Sequence, residues 1–156
     1  MKTTKKVMSI VLTALMTSGF AMAQKANVKG AEKIADKKGD YNEARALIKA
    51  ALENEETKSD PKTMYIAGYV EESNFTNENV KQLEGVEPNR AEMNKALLDM
   101  FDYYIGTIDM ETAANGGSTK PGKFGKKIKD AFSNNLLYFI NAGGYYMEKQ
   151  TSFRYV

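Results

Sequence analysis

The chain is predicted to be all-helical, and the prediction rests on its apolar periodicity and on two helix start signals. Beyond the first 23 residues, apolar side chains recur every three or four residues and almost never alternate, which is the spacing of one face of an α-helix. Asp60 before Pro61, and Asn89 three residues before Glu92, each place a side chain that caps free backbone amides ahead of a periodic segment. We therefore expect an all-α fold of antiparallel helix pairs.

Residues 1–23 are predicted to be a signal peptide. Three lysines precede an almost uncharged apolar run, and Ala21-Met22-Ala23 is the small-x-small pattern of a cleavage site. A membrane anchor is the alternative, but the run is short for a span of about 20 apolar residues and ends in small residues. We expect cleavage before Gln24 and export of the remaining chain.

The composition restricts the possible functions. Removing the three lysines of the signal peptide from 22 basic and 20 acidic groups leaves a nearly neutral chain, so overall charge gives no support for a nucleic-acid partner. Cysteine and histidine are both absent from the sequence, which removes lipid attachment at a cysteine, Cys/His zinc sites, thiol nucleophiles and a Ser-His-acid relay. We expect no enzyme activity, no metal, no cofactor and no lipoprotein anchor.

Seven helices are expected in order along the chain. The first covers about residues 27–38 and ends at Gly39, and the second begins at Tyr41 with an apolar stripe formed by Ala44, Leu47, Ile48, Ala51 and Leu52. So short a corner requires these two helices to lie antiparallel. The third helix begins at Pro61, and a shorter fourth is predicted from a Thr76 cap to near Gly85.

The fifth helix has the clearest pattern. Its stripe contains Met93, Ala96, Leu97, Met100, Phe101, Tyr104, Ile105 and Ile108. Residues 113–122, AANGGSTKPG, carry no apolar period and are predicted to be a linker. A lysine-rich helix over about 124–133 and an aromatic helix over about 135–150 are expected to follow.

The corner and second helix, GDYNEARALIKAAL, resemble the second half of a tetratricopeptide repeat. Gly39, Tyr41, Ala44, Ile48 and Ala51 occupy the consensus positions of that family. MYIAGYVE (residues 64–71) and FINAGGYY (residues 139–146) resemble its first helix. The chain is thus similar to the degenerate tetratricopeptide proteins exported by Gram-negative bacteria of the Bacteroides kind. The resemblance implies a stacked α-α superhelix over 24–112, a further helical pair over 123–156 that is an incomplete repeat, and a periplasmic or cell-envelope location.

Two sets of residues are candidate binding sites. The resemblance implies that Tyr65, Tyr69 and Glu72 line a concave groove that holds a peptide or a partner's helix, although aromatic residues at helical spacing are also typical of a core. The second set is a cluster of five lysines that could contact an anionic lipid or polymer, or form a solvated face. It consists of Lys120, Lys123, Lys126, Lys127 and Lys129.

Two other motifs are interpreted as non-functional. GSTKPGKF begins like a phosphate-binding loop, but Phe124 stands where the magnesium-binding hydroxyl would be and no strand is predicted before it. Glu71, Glu72, Asp99 and Asp102 include no pair that the sequence places across a cleft. The sequence therefore predicts an exported, non-catalytic scaffold that binds a protein or peptide. The alternative is an envelope protein whose lysine-rich helix docks on an anionic lipid or polymer.

Overall fold

The computed structural model describes residues 22–118 and 120–152, with the side chains of 22–118 and 120–141. Within these residues the protein is all-helical and contains no strand, which confirms the predicted fold class. The helices are α1 (22–36), α2 (Tyr41–Leu52), α3 (Pro61–Leu83), α4 (Arg90–Ala114) and α5 (Gly125–Ser152). Most of the predicted signal peptide lies outside the described residues, and its last two residues belong to α1.

The corner between α1 and α2 is tight, and the two helices lie antiparallel as predicted. Leu47 of α2 approaches Gly30 of α1 so closely that a Cβ there would lie 3.1 Å from the leucine. The Gly39 N-H donates to the Ile34 carbonyl at 2.9 Å, which closes the Schellman motif that ends α1. The left-handed residue of this motif is Lys38, with φ of 51°, and not Gly39. Lys38 therefore supplies the left-handed backbone conformation of this corner.

The predicted stripe of α2 is confirmed. Asp40 caps the helix by accepting from the amides of Asn42 and Glu43. The residues that face the core are Tyr41, Ala44, Ile48 and Ala51. Since both alanines are fully buried, their small size is what allows neighbouring helices to approach α2 closely.

Helix α3 starts as predicted but is longer than expected. Asp60 accepts from the Lys62 amide and Pro61 is the first helical residue. The separate short helix with a Thr76 cap does not form, because α3 continues through Leu83. The Thr76 hydroxyl donates to the Glu72 carbonyl one turn earlier, at 2.8 Å, which is how a threonine is accommodated within a helix. Gly85, with φ of 77°, follows the end of α3.

Helix α5 replaces the last two predicted helices. The loop after α4 contains Gly116 and Gly117, both with positive φ. It covers residues 115–124 and so overlaps the predicted linker 113–122, although Ala113 and Ala114 belong to α4 and Thr119 lies outside the described residues. The lysine-rich and aromatic segments then form one continuous helix of 28 residues. The sequence from Lys126 to Asn141 contains neither glycine nor proline, so nothing interrupts the helix where a break was expected.

The core lies where α3 meets α4 and α5. Tyr65 of α3 stacks on Phe124 at 4.3 Å and on Tyr104 of α4 at 5.6 Å between ring centroids. Tyr104 in turn lies against Gly68 of α3, where a Cβ would come within 2.4 Å of its ring. This glycine therefore allows α3 and α4 to pack with a tyrosine ring between them.

Candidate functional site

The predicted groove residues are not equivalent in the structure. Tyr65 is 8% exposed and belongs to the aromatic core, so of the two alternatives for this residue the core is correct. Tyr69 is half-buried and donates a hydrogen bond from its hydroxyl to Asp36 of α1 at 2.7 Å. Burial and this hydrogen bond raise the pKa of Tyr69 to about 12. Both tyrosines thus hold helices of the chain together.

Glu72 is joined to the core by a hydrogen bond. The hydroxyl of Tyr104 donates to Glu72 Oε2 at 2.5 Å, and burial raises the pKa of the Glu72 carboxyl despite that bond. Burial, together with the nearby Glu72 charge, also raises the pKa of Tyr104. A cavity of about 260 Å³ between α1 and α3 is lined by Asp36, Tyr69 and Glu72. Tyr69 already binds Asp36, and Glu72 already accepts from Tyr104, so this cavity presents few free groups to a ligand.

A second, polar cleft of about 380 Å³ lies where α2, α3 and the start of α4 meet. Its centre is Arg45, which forms ion pairs with Glu71 of α3 and Glu92 of α4. Asn74 donates to the same Glu92 carboxylate at 3.0 Å. At its rim, Glu78 accepts from the Asn89 amide at 2.9 Å. The polar groups of the cleft therefore connect three helices. They pair the charge of Arg45 and bind the free backbone amide of Asn89 before α4.

This ion-pair network was not anticipated from the sequence. Glu92 was expected to complete a capping box with Asn89, but its carboxylate binds Arg45 and Asn74 instead. Only the first half of the box forms, because Asn89 Oδ1 accepts from the Glu92 amide at 3.2 Å. The only signal in the sequence was Arg45 directly after a buried alanine of α2, which does not identify its partners.

The five predicted lysines are all exposed, but they do not share one face. Lys127 lies over the Tyr65 ring, 5.7 Å from its centroid, on the side of α3. Lys129 is two residues further along α5 and therefore points to nearly the opposite side. Lys126 Nζ is 3.7 Å from Asp130, an exposed pair. The cluster thus surrounds the first turns of α5 and is partly balanced by an acidic residue.

The acidic residues considered for catalysis are also separated. Glu71 pairs with Arg45, Glu72 accepts from Tyr104, and Asp99 pairs with Lys95. Asp102 is exposed on α4. Across the described part of the chain, no group of three or more Asp, Glu, His or Cys residues is arranged to hold a metal ion. In the same residues, no helix is both long and apolar enough to cross a membrane.

The most prominent surface feature is apolar and lies on α4 and α5. We call it the α4–α5 apolar surface, and it consists of Leu98 (41% exposed), Phe101 (42%), Ile105 (37%), Leu136 (57%) and Ile140 (61%). Exposed apolar residues scattered singly are ordinary, whereas contiguous ones mark interaction sites. Contiguity therefore decides whether these residues have a function.

The two helices present these residues on the same side. Phe101 of α4 contacts Phe132 and Phe139 of α5, with ring centroids 5.2 and 5.5 Å apart. Ile105 follows Phe101 by four residues along α4, and Leu136 follows Phe132 by four residues along α5, so each lies beside the ring that bridges the helices. The three phenylalanines thus form the floor of a continuous patch. Leu137, 71% exposed, extends it at the outer edge of α5.

Sequence reasoning found this patch only in part. Phe101 and Ile105 belong to the predicted apolar stripe of the fifth helix, but both are exposed. A possible signal was the pair of leucine doublets, Leu97-Leu98 and Leu136-Leu137. Adjacent residues lie about 100° apart on a helix, so a doublet widens the apolar stripe beyond what a single neighbour covers.

Charged residues of opposite sign lie beside the apolar residues on α4 and on α5. Asp102 and Asp109 follow Leu98 and Ile105 by four residues, so they lie on the α4 side of the patch, and both are exposed. Lys129 is also exposed and precedes Leu136 by seven residues, so it continues the Leu136 row toward the start of α5. The patch is therefore bordered by two aspartates along α4 and by one lysine where its α5 row begins, while the nearby Lys126–Asp130 pair adds one charge of each sign.

Comparison with protein-family models, with curated proteins and with solved structures found no match to this chain.

Proposed function

We propose that this protein is an exported, non-catalytic helical scaffold that binds an amphipathic helical segment of a protein partner on the α4–α5 apolar surface. The observation that carries the proposal is the set of large apolar side chains exposed side by side on α4 and α5. An amphipathic helix that lays its apolar face into a groove between two helices is a common mode of recognition.

The proposal includes a tetratricopeptide-like arrangement. In this interpretation α1 with α2, and α3 with α4, are two antiparallel helix pairs, and α5 is the first helix of a third pair. The burial of Tyr41, Ala44, Ile48 and Ala51 supports it, because these are the residues on which the resemblance rests. The outer sides of α4 and α5 would then be the place where a further helix packs, and a helix of a partner can occupy it.

The charged residues beside the patch define what kind of helix fits. A partner helix with basic residues on one flank would approach Asp102 and Asp109, and acidic residues on its other flank would approach Lys129. Such edge charges set the orientation of binding and its salt dependence more than its strength. The affinity would come from burial of Phe101, Leu136 and their neighbours.

The experiment is a selection of helical peptides from a displayed random library, with the protein kept dilute so that its copies do not cover this surface for one another. Selected peptides are tested against the wild-type chain and the double variant Leu136→Asp/Ile140→Asp. Binding should be lost in the double variant, and NMR shift changes should map to α4 and α5. Peptides that bind both proteins equally, or shift changes confined to other helices, would contradict the proposal.

The second candidate function is docking on an anionic lipid or polymer, favoured by the exposure of all five lysines near the start of α5. It has less support, because Lys126 pairs with Asp130 and Lys127 lies over Tyr65. Sedimentation with vesicles of an anionic phospholipid at low and raised salt tests it. A membrane role requires binding that weakens with salt, and absence of binding at low salt eliminates it.

A further inference from the structure

We propose that the partner of the α4–α5 apolar surface is a second copy of this chain, related by a two-fold axis that runs parallel to the two helices. This inference rests on the proposed function, because it names the occupant of the same surface. It is carried by Asp109 on α4 and Lys129 on α5, which are both exposed beside the patch and lie at a similar level along the two helices.

The relative level of the two helices follows from their contacts. The Phe124 amide donates to Glu111 Oε1 at 3.1 Å, so the end of α4 lies beside the start of α5. Phe101, ten residues earlier in α4, lies between Phe132 and Phe139 of α5. The helices are therefore antiparallel, and each step back along α4 corresponds to a step forward along α5. On this register Asp109 is level with residues 126–129.

A two-fold axis parallel to the helices brings α4 of one copy onto α5 of the other at the same level. Asp109 of each copy then faces Lys129 of the other, which gives two equivalent opposite-charge contacts. Between the two charge contacts, the apolar residues of α4 in one copy meet those of α5 in the other. Ile105 and Leu98 of one copy then lie opposite Leu136 and its neighbours in the other copy. The surface is therefore complementary to itself at the two Asp109–Lys129 contacts and along the apolar rows between them.

Other symmetric arrangements are less favourable. A two-fold axis perpendicular to the helices, within the plane of the patch, would place α4 on α4. It would bring Asp102 and Asp109 of α4 against their own copies, where like charges repel. The charge pattern thus selects one axis. Since the patch spans only a few turns of each helix, the dimer is expected in the weak range, with a dissociation constant of about 10–100 µM.

The test is sedimentation velocity of the full chain between about 5 and 500 µM, which brackets that range. The chain is expressed in full so that any processing of its amino terminus is the same in every variant. The wild type should change from monomer to dimer as its concentration rises. Asp109→Lys and Lys129→Glu should each weaken dimerisation by about tenfold or more, because each variant places like charges at both contacts.

The decisive measurement is a mixture of the two charge variants. In a heterodimer of Asp109→Lys with Lys129→Glu, one contact joins Lys to Glu and the other joins Asp to Lys, so both attractions are restored. The equimolar mixture should therefore dimerise at concentrations where each variant alone is a monomer. Glu56→Lys, in the exposed loop after α2, is the charge control and should dimerise like the wild type. Circular dichroism verifies that each variant keeps its helix content.

Three results would overturn the inference. These are a monomeric wild type throughout the range, a mixture that stays monomeric, or a Leu136→Asp variant that dimerises as the wild type does. Failure of the dimer is distinguishable from failure of the proposed function. If the wild type is monomeric but selected peptides still bind α4 and α5, the surface binds another protein. If neither a second copy nor a peptide binds, both proposals fail.

Discussion

Replacing Gly68 by alanine tests the packing of α3 on α4. In an exposed helix interior this change stabilises a protein by about 1 kcal/mol, because alanine is the better helix former. At Gly68 the new Cβ would lie 2.4 and 2.5 Å from two atoms of the Tyr104 ring. Ordinary van der Waals contacts of a Cβ begin near 3.4 Å, so about 1 Å of movement is needed. The sign of the effect depends on whether the ring can move.

Tyr104 is held on several sides. Its ring stacks near Tyr65 and meets the edge of Phe132, with centroids 5.6 and 6.0 Å away, and its hydroxyl donates to Glu72. Overpacking of a fixed core site costs typically about 1–3 kcal/mol and sometimes more. When the gain of about 1 kcal/mol in helix propensity is subtracted, Gly68→Ala should lower the free energy of unfolding by up to about 2 kcal/mol.

Gly106 provides the matched control, because it is also inside a long helix. A Cβ at Gly106 would lie 3.5 Å from the Met64 side chain, which is ordinary contact. Gly106→Ala should therefore raise the free energy of unfolding by up to about 1 kcal/mol. Urea unfolding followed by circular dichroism measures both variants, and the slope of each transition verifies that the unfolding reaction is the same. If Gly68→Ala were as stable as Gly106→Ala, the close approach of α3 and α4 would be refuted.

A double variant identifies the cause. When Tyr104 is first replaced by leucine, the ring that Gly68→Ala displaces is gone. Gly68→Ala should then lower the free energy of unfolding less in the leucine background than in the wild type, by about 1 kcal/mol or more. The reason is that substitutions of residues in contact do not have additive effects on stability. Equal costs in both backgrounds would mean that the penalty does not come from Tyr104.

Four other changes have expected outcomes measurable by the same unfolding assay. Lys38→Gly should stabilise the protein by about 1 kcal/mol, because Lys38 has a positive φ that glycine adopts without strain, whereas Lys37→Gly should not stabilise it. Tyr104→Phe should cost about 1–3 kcal/mol by removing the donor to Glu72. Tyr41→Phe should be neutral or stabilising, since the buried Tyr41 hydroxyl makes no hydrogen bond in the described structure, and a clear loss of stability there would show that the hydroxyl has a partner. The last change concerns pH. Burial raises the pKa of the Glu72 carboxyl above its ordinary 4.5, so the folded chain holds the proton of this carboxyl more tightly than the unfolded chain does. The resulting stabilisation is complete below the unfolded pKa and is lost as pH rises through the folded pKa. Glu72→Gln cannot titrate, so the stability difference between this variant and the wild type should shift in favour of the variant as pH rises above 4.5, and a constant difference would contradict the raised pKa.

The fold class and most helix starts could be predicted from the sequence because they depend on near neighbours. The caps at Asp40, Asp60 and Asn89 bind amides two or three residues away, and the stripe of α2 repeats within one helix. These interactions form whatever the rest of the chain does. The prediction of an all-helical chain therefore needed no knowledge of which helix packs on which.

The length of α3 and the continuity of α5 were not predicted, although both are helical. Threonine is a residue type that commonly caps helices, and only the hydrogen bond from Thr76 to the preceding turn shows that this residue is inside the helix. A cap and a mid-helix threonine look alike in sequence, because the same hydroxyl can bind a carbonyl behind it or an amide ahead of it.

Amino-acid sequence alone determined that this chain forms helices, where several of them begin, and that chemistry based on cysteine or histidine is absent. Tertiary structure decided which side chains are available for binding. Tyr65 and Phe101 are both aromatic residues on apolar stripes, yet the first is buried between three helices and the second is exposed at the α4–α5 apolar surface. The physical reason is that helical periodicity is set by local backbone geometry, whereas burial depends on contacts between residues distant in sequence, such as Tyr65 with Phe124.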